Sequence, residues 1–232
     1  MKYIHIVTAI VLACSFSSCI IQKKKDVDLK VVEQRPEIKE QFHTLSIKGD
    51  FELNYVQGDT SCVIVKGPKS LVEKAKITAE NGILNLNGER RKISFGRNKS
   101  KVTVIVMNPE LAKVIVSGAC NFHADESVTL KNLYFDISGA GDVDFENLTC
   151  DSLIVDVKGA GDIDVNLHNT PYTSVSISGA GQLDADFDNC GTAICNISGA
   201  GDVELSGDLE NLVESKSGVA TIVKKDLRIK NK

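Results

Sequence analysis

The residues best placed to do chemistry are carboxylates at a fixed interval. Three residues after Gly139, Gly159, Gly179 and Gly199 stand Asp142, Asp162, Gln182 and Asp202, and five residues after stand Asp144, Asp164, Asp184 and Glu204. If equivalent positions stack, like charges lie about 5 Å apart, which is costly unless relieved. One relief is hydrogen bonding: Asp accepts from backbone N–H groups in turns, leaving the second column to water. The other is a hard cation. Ca²⁺ takes six to eight oxygens, and Asp142, Asp144, Asp162, Asp164 and Asp202 would offer carboxylates to it. The interval differs from that of calcium-binding nonapeptide repeats, so the expectation is no cofactor, with calcium as the alternative. Paired carboxylates also suit the acid/base dyad of glycosidases. The repeats, however, carry only Tyr134, Phe135, Phe145, Tyr172 and Phe187 as aromatic platforms for a sugar, and the chain has no Trp.

Other catalytic signals are weaker. His43, His123 and His168 are far apart in sequence, and none lies in a nucleophile elbow or a metal motif. Gly-Ala-Gly is no nucleotide loop, because no helix follows to meet a phosphate. Cys62, Cys120, Cys150, Cys190 and Cys195 lack zinc-ligand spacing and read mostly as small buried apolar residues. No catalytic residue is assigned. The expectation is a non-enzyme, with a polysaccharide lyase or glycoside hydrolase as the alternative.

The elements that must position these columns follow from the same interval. Gly-Ala-Gly begins at Gly139, Gly159, Gly179 and Gly199 and closes at Gly141, Gly161, Gly181 and Gly201; a degenerate copy, Gly118-Ala119-Cys120, precedes, and Gly218 follows. A period near 20 residues signals stacked repeats. Within each copy, Val143, Ile163, Leu183 and Val203 share one offset, and Leu153-Val155-Val157, Thr173-Val175-Ile177 and Ala193-Cys195-Ile197 share others. These are runs of strand period separated by polar turns. Glycine at the corner allows positive φ and close approach of the next coil. The pattern predicts an all-β fold, a right-handed parallel β-helix of about 20 residues per coil, with Val143, Ile163, Leu183 and Val203 in one inward column. Further strand runs lie at 45–47, 51–56, 63–65, 83–86 and 102–106, with a short helix over 70–76 opened by Pro68 and an exposed basic loop or hairpin tip over 87–101.

The repeats, the opening Phe42…Ile47…Gly49…Phe51 and the bridge Asn108-Pro109-Glu110-Leu111…Val114…Val116-Ser117-Gly118-Ala119 resemble the head GIN domain family over about residues 40–222. That family is described as auto-transporter adhesins, exported or lipoprotein in type. The resemblance implies a single-stranded right-handed β-helix similar in shape to pectin lyases, and it brings no catalytic residues.

Residues 1–18 read as a lipoprotein signal: Lys2, an apolar run over 4–16, then Ser17-Ser18-Cys19. Cys19 is the expected lipid attachment, with Cys14 a rival. The remaining segments are a flexible tether over 19–40, the domain over 41–222 and a basic cap or tail over 223–232. The expected location is the cell envelope, lipid-anchored to the outer membrane. Its periplasmic face is favoured because Ile20-Ile21-Gln22-Lys23-Lys24-Lys25 has no acidic surface-export tag. A formal charge of −4 gives no reason to expect nucleic acid. Charge is segregated, with 18 Asp and Glu against Lys131 and Lys158 over 120–215, and 6 basic residues against Asp226 from Lys216 on. Such a field would steer a protein or glycan partner or pair copies head to tail as a homo-oligomer; the plainer account is solubility with a basic end that blocks strand pairing. Partner contact is thus expected through the membrane lipid and through an unidentified protein or glycan.

Overall fold

Alternation of apolar and polar residues shapes most segments. In Ile163–His168, Ile163, Val165 and Leu167 are buried while Asp164 and Asn166 are exposed. The computed structural model describes residues 30–88 and 101–231. The signal over 1–18, Cys19 and nearly all of the basic segment 87–101 therefore lie outside the described residues.

The described residues form fifteen strands and one four-residue helix. In chain order these are β1 (Val31–Gln34), β2 (Thr44–Lys48), β3 (Asp50–Gln57), β4 (Cys62–Pro68), α1 (Lys69–Val72), β5 (Lys76–Glu80), β6 (Ile83–Asn87) and β7 (Val102–Asn108). There follow β8 (Lys113–Val116), β9 (Ala119–Ala124), β10 (Val128–Ile137), β11 (Ala140–Val157), β12 (Ile163–His168), β13 (Tyr172–Ile177), β14 (Ala180–Lys224) and β15 (Arg228–Ile229). The all-β class expected from the sequence holds.

The strands pair in two rows. One runs β7, β3, β9, the first part of β11, β12 and β14. The other runs β6, β2, β8, β10, the last part of β11, β13 and again β14. All these pairings are parallel. The ladders β11–β12, β12–β14, β14–β13 and β13–β11 close on themselves. Register follows the twenty-residue interval: Val143 opposes Ile163, which opposes Leu183, and Val155 opposes Val175, which opposes Cys195. Val143, Ile163, Leu183 and Val203 are each 2% exposed, the single inward set expected. Inward side chains of both rows merge into one core cluster. Phe122 of the first row sits 5.2 Å from the Phe135 ring of the second and 5.3 Å from Phe145, a gain of about 1 kcal/mol per pair beyond area burial.

Four features differ from the sequence reading. First, the opening is not laid down in chain order. A Cβ on Gly118 would lie 2.1 Å from the Gly49 carbonyl oxygen, so the β2–Gly49–β3 layer sits directly on β8–Gly118–β9. The later pair β6 and β7 lies on its far side. Second, β1–β4, β4–β7 and β5–β6 are antiparallel. The last is joined at Asn81-Gly82 with φ of 53° and 76°, the paired positive values of a tight hairpin turn. Third, the segment read as tether includes β1 on the edge of β4, and the segment read as tail includes β15, whose Arg228 and Ile229 oppose Asp208 and Leu209. Fourth, the helix predicted over 70–76 is one turn, because β5 begins at Lys76.

The corner glycines are explained by proximity. Of the eight in the repeats, only Gly199 has a left-handed φ, +151°. A Cβ on Gly159 would stand 1.9 Å from the Gly139 oxygen, and one on Gly179 2.0 Å from the Gly159 oxygen. Any side chain would force the layers apart, so close backbone approach selects the residue.

Candidate functional site

The outward positions of the first row carry the carboxylates. Residues flanking the buried Val143, Ile163 and Leu183 point away from the core by strand alternation, and the in-register pairing brings equivalent ones together. The Asp162 N–H faces Asp142 Oδ1 at 3.5 Å, and the Gln182 N–H donates to Asp162 Oδ1 at 3.0 Å. Asp142 and Asp162 thus each face a main-chain donor of the next layer. Asp202, the last member, is exposed.

The second column stacks Asp144 on Asp164 and Asp164 on Asp184, with Glu204 beyond. Burial, reinforced by the charges of Asp144 and Asp184, raises the pKa of Asp164 above the usual Asp value. Cationic or protonatable groups close the column at both ends. His123 Nδ1 lies 3.5 Å from Asp144 Oδ2, its Nε2 lies 3.0 Å from Glu52 Oε1, and Lys101 Nζ reaches Glu52 Oε2 at 3.3 Å. At the other end Lys225 Nζ meets Glu204 Oε1 at 3.0 Å. His123 was legible: it stands five residues after Gly118, as Asp144 does after Gly139. Lys225 was not, because the last layer leaves the twenty-residue interval.

Neighbouring columns repeat the theme. Ser206 Oγ donates to Asp186 Oδ2 at 2.6 Å, His168 lies between Asp188 (3.0 Å) and Asn147 (3.1 Å), and Arg228 grips Asp208 through two bonds of 2.6 and 2.7 Å. An open groove of about 580 Å³ runs among Asp164, Asp184, Asp186, Glu204, Lys225 and Arg228. Among the described residues no group of three or more His, Cys, Asp or Glu is arranged to hold a metal ion. Of the five carboxylates named for calcium, Asp142 and Asp162 face main-chain N–H groups and Asp144 faces His123. His43 does not join the columns; it contacts Thr44 Oγ1 at 3.1 Å near the hairpin at Gly82.

The thiols behave as core atoms. Cys120, Cys150, Cys190 and Cys195 are buried and unpaired, and Cys62 is half-buried. Burial pushes Cys120 up to about 12 and Cys150 and Cys195 up to about 11, which keeps them protonated and poor nucleophiles.

The outward side of the second row is different. Lys113 Nζ lies over the Tyr134 ring at 4.8 Å, the Tyr134 hydroxyl donates to Asp156 at 2.9 Å, and Ser152 donates to Asn132 at 2.7 Å. No finding favours the lyase or hydrolase alternative.

Comparison with known proteins adds the family. Residues 41–204 match the family described as "Putative auto-transporter adhesin, head GIN domain". Among solved structures, a putative adhesin from Bacteroides fragilis superposes with a TM-score of 0.66 at 20% identity, covering 84% of this chain and 97% of that one. A putative lipid binding protein from Parabacteroides distasonis gives a TM-score of 0.48 at 14% identity, covering 86% and 95%. A putative adhesin from the same organism gives 0.45 at 18% identity, covering 85% and 98%. The first of these shows a shared fold. No curated protein matches the chain.

Proposed function

Because the chain belongs to the head GIN domain family of putative auto-transporter adhesins, we propose that it is a non-enzymatic adhesion or binding protein of the cell envelope, exported by residues 1–18 and held by lipid on Cys19. In this proposal residues 41–222 wind as a single-stranded right-handed parallel β-helix whose outward columns meet a protein or glycan partner. The observation that carries it is the in-register stack Asp144–Asp164–Asp184, facing outward along one row over an apolar core. A charged ladder on rigid backbone holds a fixed spacing of about 4.8 Å, which suits recognition of an extended partner. In this reading a lipid on Cys19 supplies the membrane anchor; no helix of the described residues is long and apolar enough to cross a membrane.

The test uses the full chain produced in a bacterium that processes lipoproteins. Labelling with a palmitate analogue is expected in the wild type and lost in Cys19→Ala; label retained in that variant removes the anchor assignment. Membranes bearing the protein are then assayed for retention of envelope proteins and glycans. Asp144→Asn/Asp164→Asn/Asp184→Asn is expected to weaken retention, and equal retention would discard the ladder as the contact. Release of reducing ends from any glycan would overturn the non-enzyme assignment.

A further inference from the structure

A stack of parallel strands ends with two exposed liabilities, an unpaired backbone edge and an open apolar interior. At the opening end the interior meets α1, whose Val72 is 1% exposed and joins the core. At the other end the last layer is the final part of β14. Leu212, Ala220 and Ile222 pack against the core there, so alternation puts Glu214 and Lys224 on the same inward side. Register agrees. The Lys225 N–H donates to the Leu205 oxygen at 2.8 Å, which sets Lys224 beside Leu205. Asn211 Nδ2 to Thr192 Oγ1 (3.3 Å) and Gly218 against Gly199 share a nineteen-residue offset, which sets Glu214 beside Cys195.

Leu205 and Cys195 are buried members of the two rows. Glu214 and Lys224 thus reach toward each other from opposite rows across the mouth of the apolar interior, where Lys224 Nζ meets Glu214 Oε2 at 2.8 Å. The pair sits where two apolar residues would continue the core. Three of the five large apolar side chains that are exposed among the described residues, Val213, Val219 and Val223, lie on this same layer. This end is therefore where a further layer would gain most by adding on.

We propose that the Glu214–Lys224 ion pair is a plug that closes the C-terminal mouth of the core and prevents a second copy of this chain from stacking on it. Stacking would strip water from both charges, a desolvation cost that a newly paired edge must overcome. The plug makes the domain a finite unit, independently of which partner its outward columns bind.

The folded unit for the test is residues 20–232, since every strand described pairs within it and the inward side chains form one core. Sedimentation velocity should find the wild type monomeric and Glu214→Leu/Lys224→Leu associating with at least about tenfold higher affinity. The charge swap Glu214→Lys/Lys224→Glu should stay monomeric. Should the Leu pair fail to fold, Glu214→Met/Lys224→Met carries the same expectation, because Met adapts to irregular space. Wild-type association, a monomeric apolar variant, or association of the charge swap would each overturn the plug. None of these outcomes bears on lipid anchoring or on ligand retention, so the adhesion proposal stands or falls separately.

Discussion

The layers over residues 133–205 and the layers over residues 30–124 solve one packing problem in two ways. In the former, each layer follows its predecessor after twenty residues, glycine meets glycine, and one outward row is acidic. In the latter, layers are deposited out of order, antiparallel strands cover the end, and buried polar groups tie segments distant in sequence. The Tyr55 hydroxyl donates to Asn108 O at 2.9 Å, Ser61 Oγ donates to Asn108 Oδ1 at 2.6 Å, and Asn108 Nδ2 donates to Phe42 O at 2.9 Å and to Glu110 O. Gln57 spans to Thr129, accepting from its N–H at 2.8 Å and donating to its oxygen at 2.7 Å. Repetition lets identical contacts recur without special residues; an irregular region must be held by particular hydrogen bonds, each worth about 1 kcal/mol when made and more when broken.

The largest expected effect separates the repeated core from the irregular edge. Val155→Asp would bury a lone carboxylate at a position with 0% exposure and should cost at least about 4 kcal/mol, read as loss of the cooperative thermal transition. The same change at half-buried Val32 on the edge strand should leave that transition in place. Equal damage at both sites would break the comparison.

Next comes the glycine column. Gly159→Ala sets a Cβ 1.9 Å from the Gly139 oxygen and should cost about 3 kcal/mol in denaturant unfolding. Gly141→Ala meets nothing nearer than 3.2 Å, because the layer before it carries Cys120 in place of a glycine, and should cost less than about 1 kcal/mol. A smaller, opposite effect is expected at Thr173. Its hydroxyl is buried without a hydrogen-bond partner, so Thr173→Val should stabilise by about 1 kcal/mol.

Acid titration sharpens the contrast further. Asp164 has a raised folded-state pKa, so its charge opposes folding above that pKa and the penalty fades as pH falls through it. Asp164→Asn should therefore raise the melting temperature at pH 7, by the equivalent of about 0.5 kcal/mol, and make no difference at a pH below the carboxylate range. Asp208 behaves oppositely. Its bonds to Arg228 lower its pKa, so the hold they give β15 is present at neutral pH and is lost as pH falls through that lowered value. Arg228→Ala should speed hydrogen exchange at β15 and leave the global melt unchanged; a fall in the global melt would show the last strand to be integral to the core.

Much of this could be read from residue order. Alternation located β2, β3, β4, β6 and β7, and the glycine interval located the register of Val143 on Ile163 and of Val155 on Val175. The acidic columns and their main-chain partners at Asp162 and Gln182 followed from stacking like offsets. The placement of β2 and β3 against β8 and β9 did not, since Gly49 and Gly118 are joined by no periodic spacing. The hairpin was announced by Asn81-Gly82, a turn signal that short flanking runs obscured. Glu214 and Lys224 look like ordinary surface charges in the sequence, because alternation marks which side they face only once the last layer is known.

Amino-acid order alone determined that the fold is all-β, that equivalent residues twenty apart share a column, and that one row would be acidic. Those outcomes depend on local period and on identical offsets, both of which are properties of a string. Tertiary structure decided which layer begins the stack, which groups meet the ends of the columns, and how the apolar interior is closed. These are long-range matters: they depend on which surfaces remain uncovered after the repeats have packed, and no local pattern encodes what is left over.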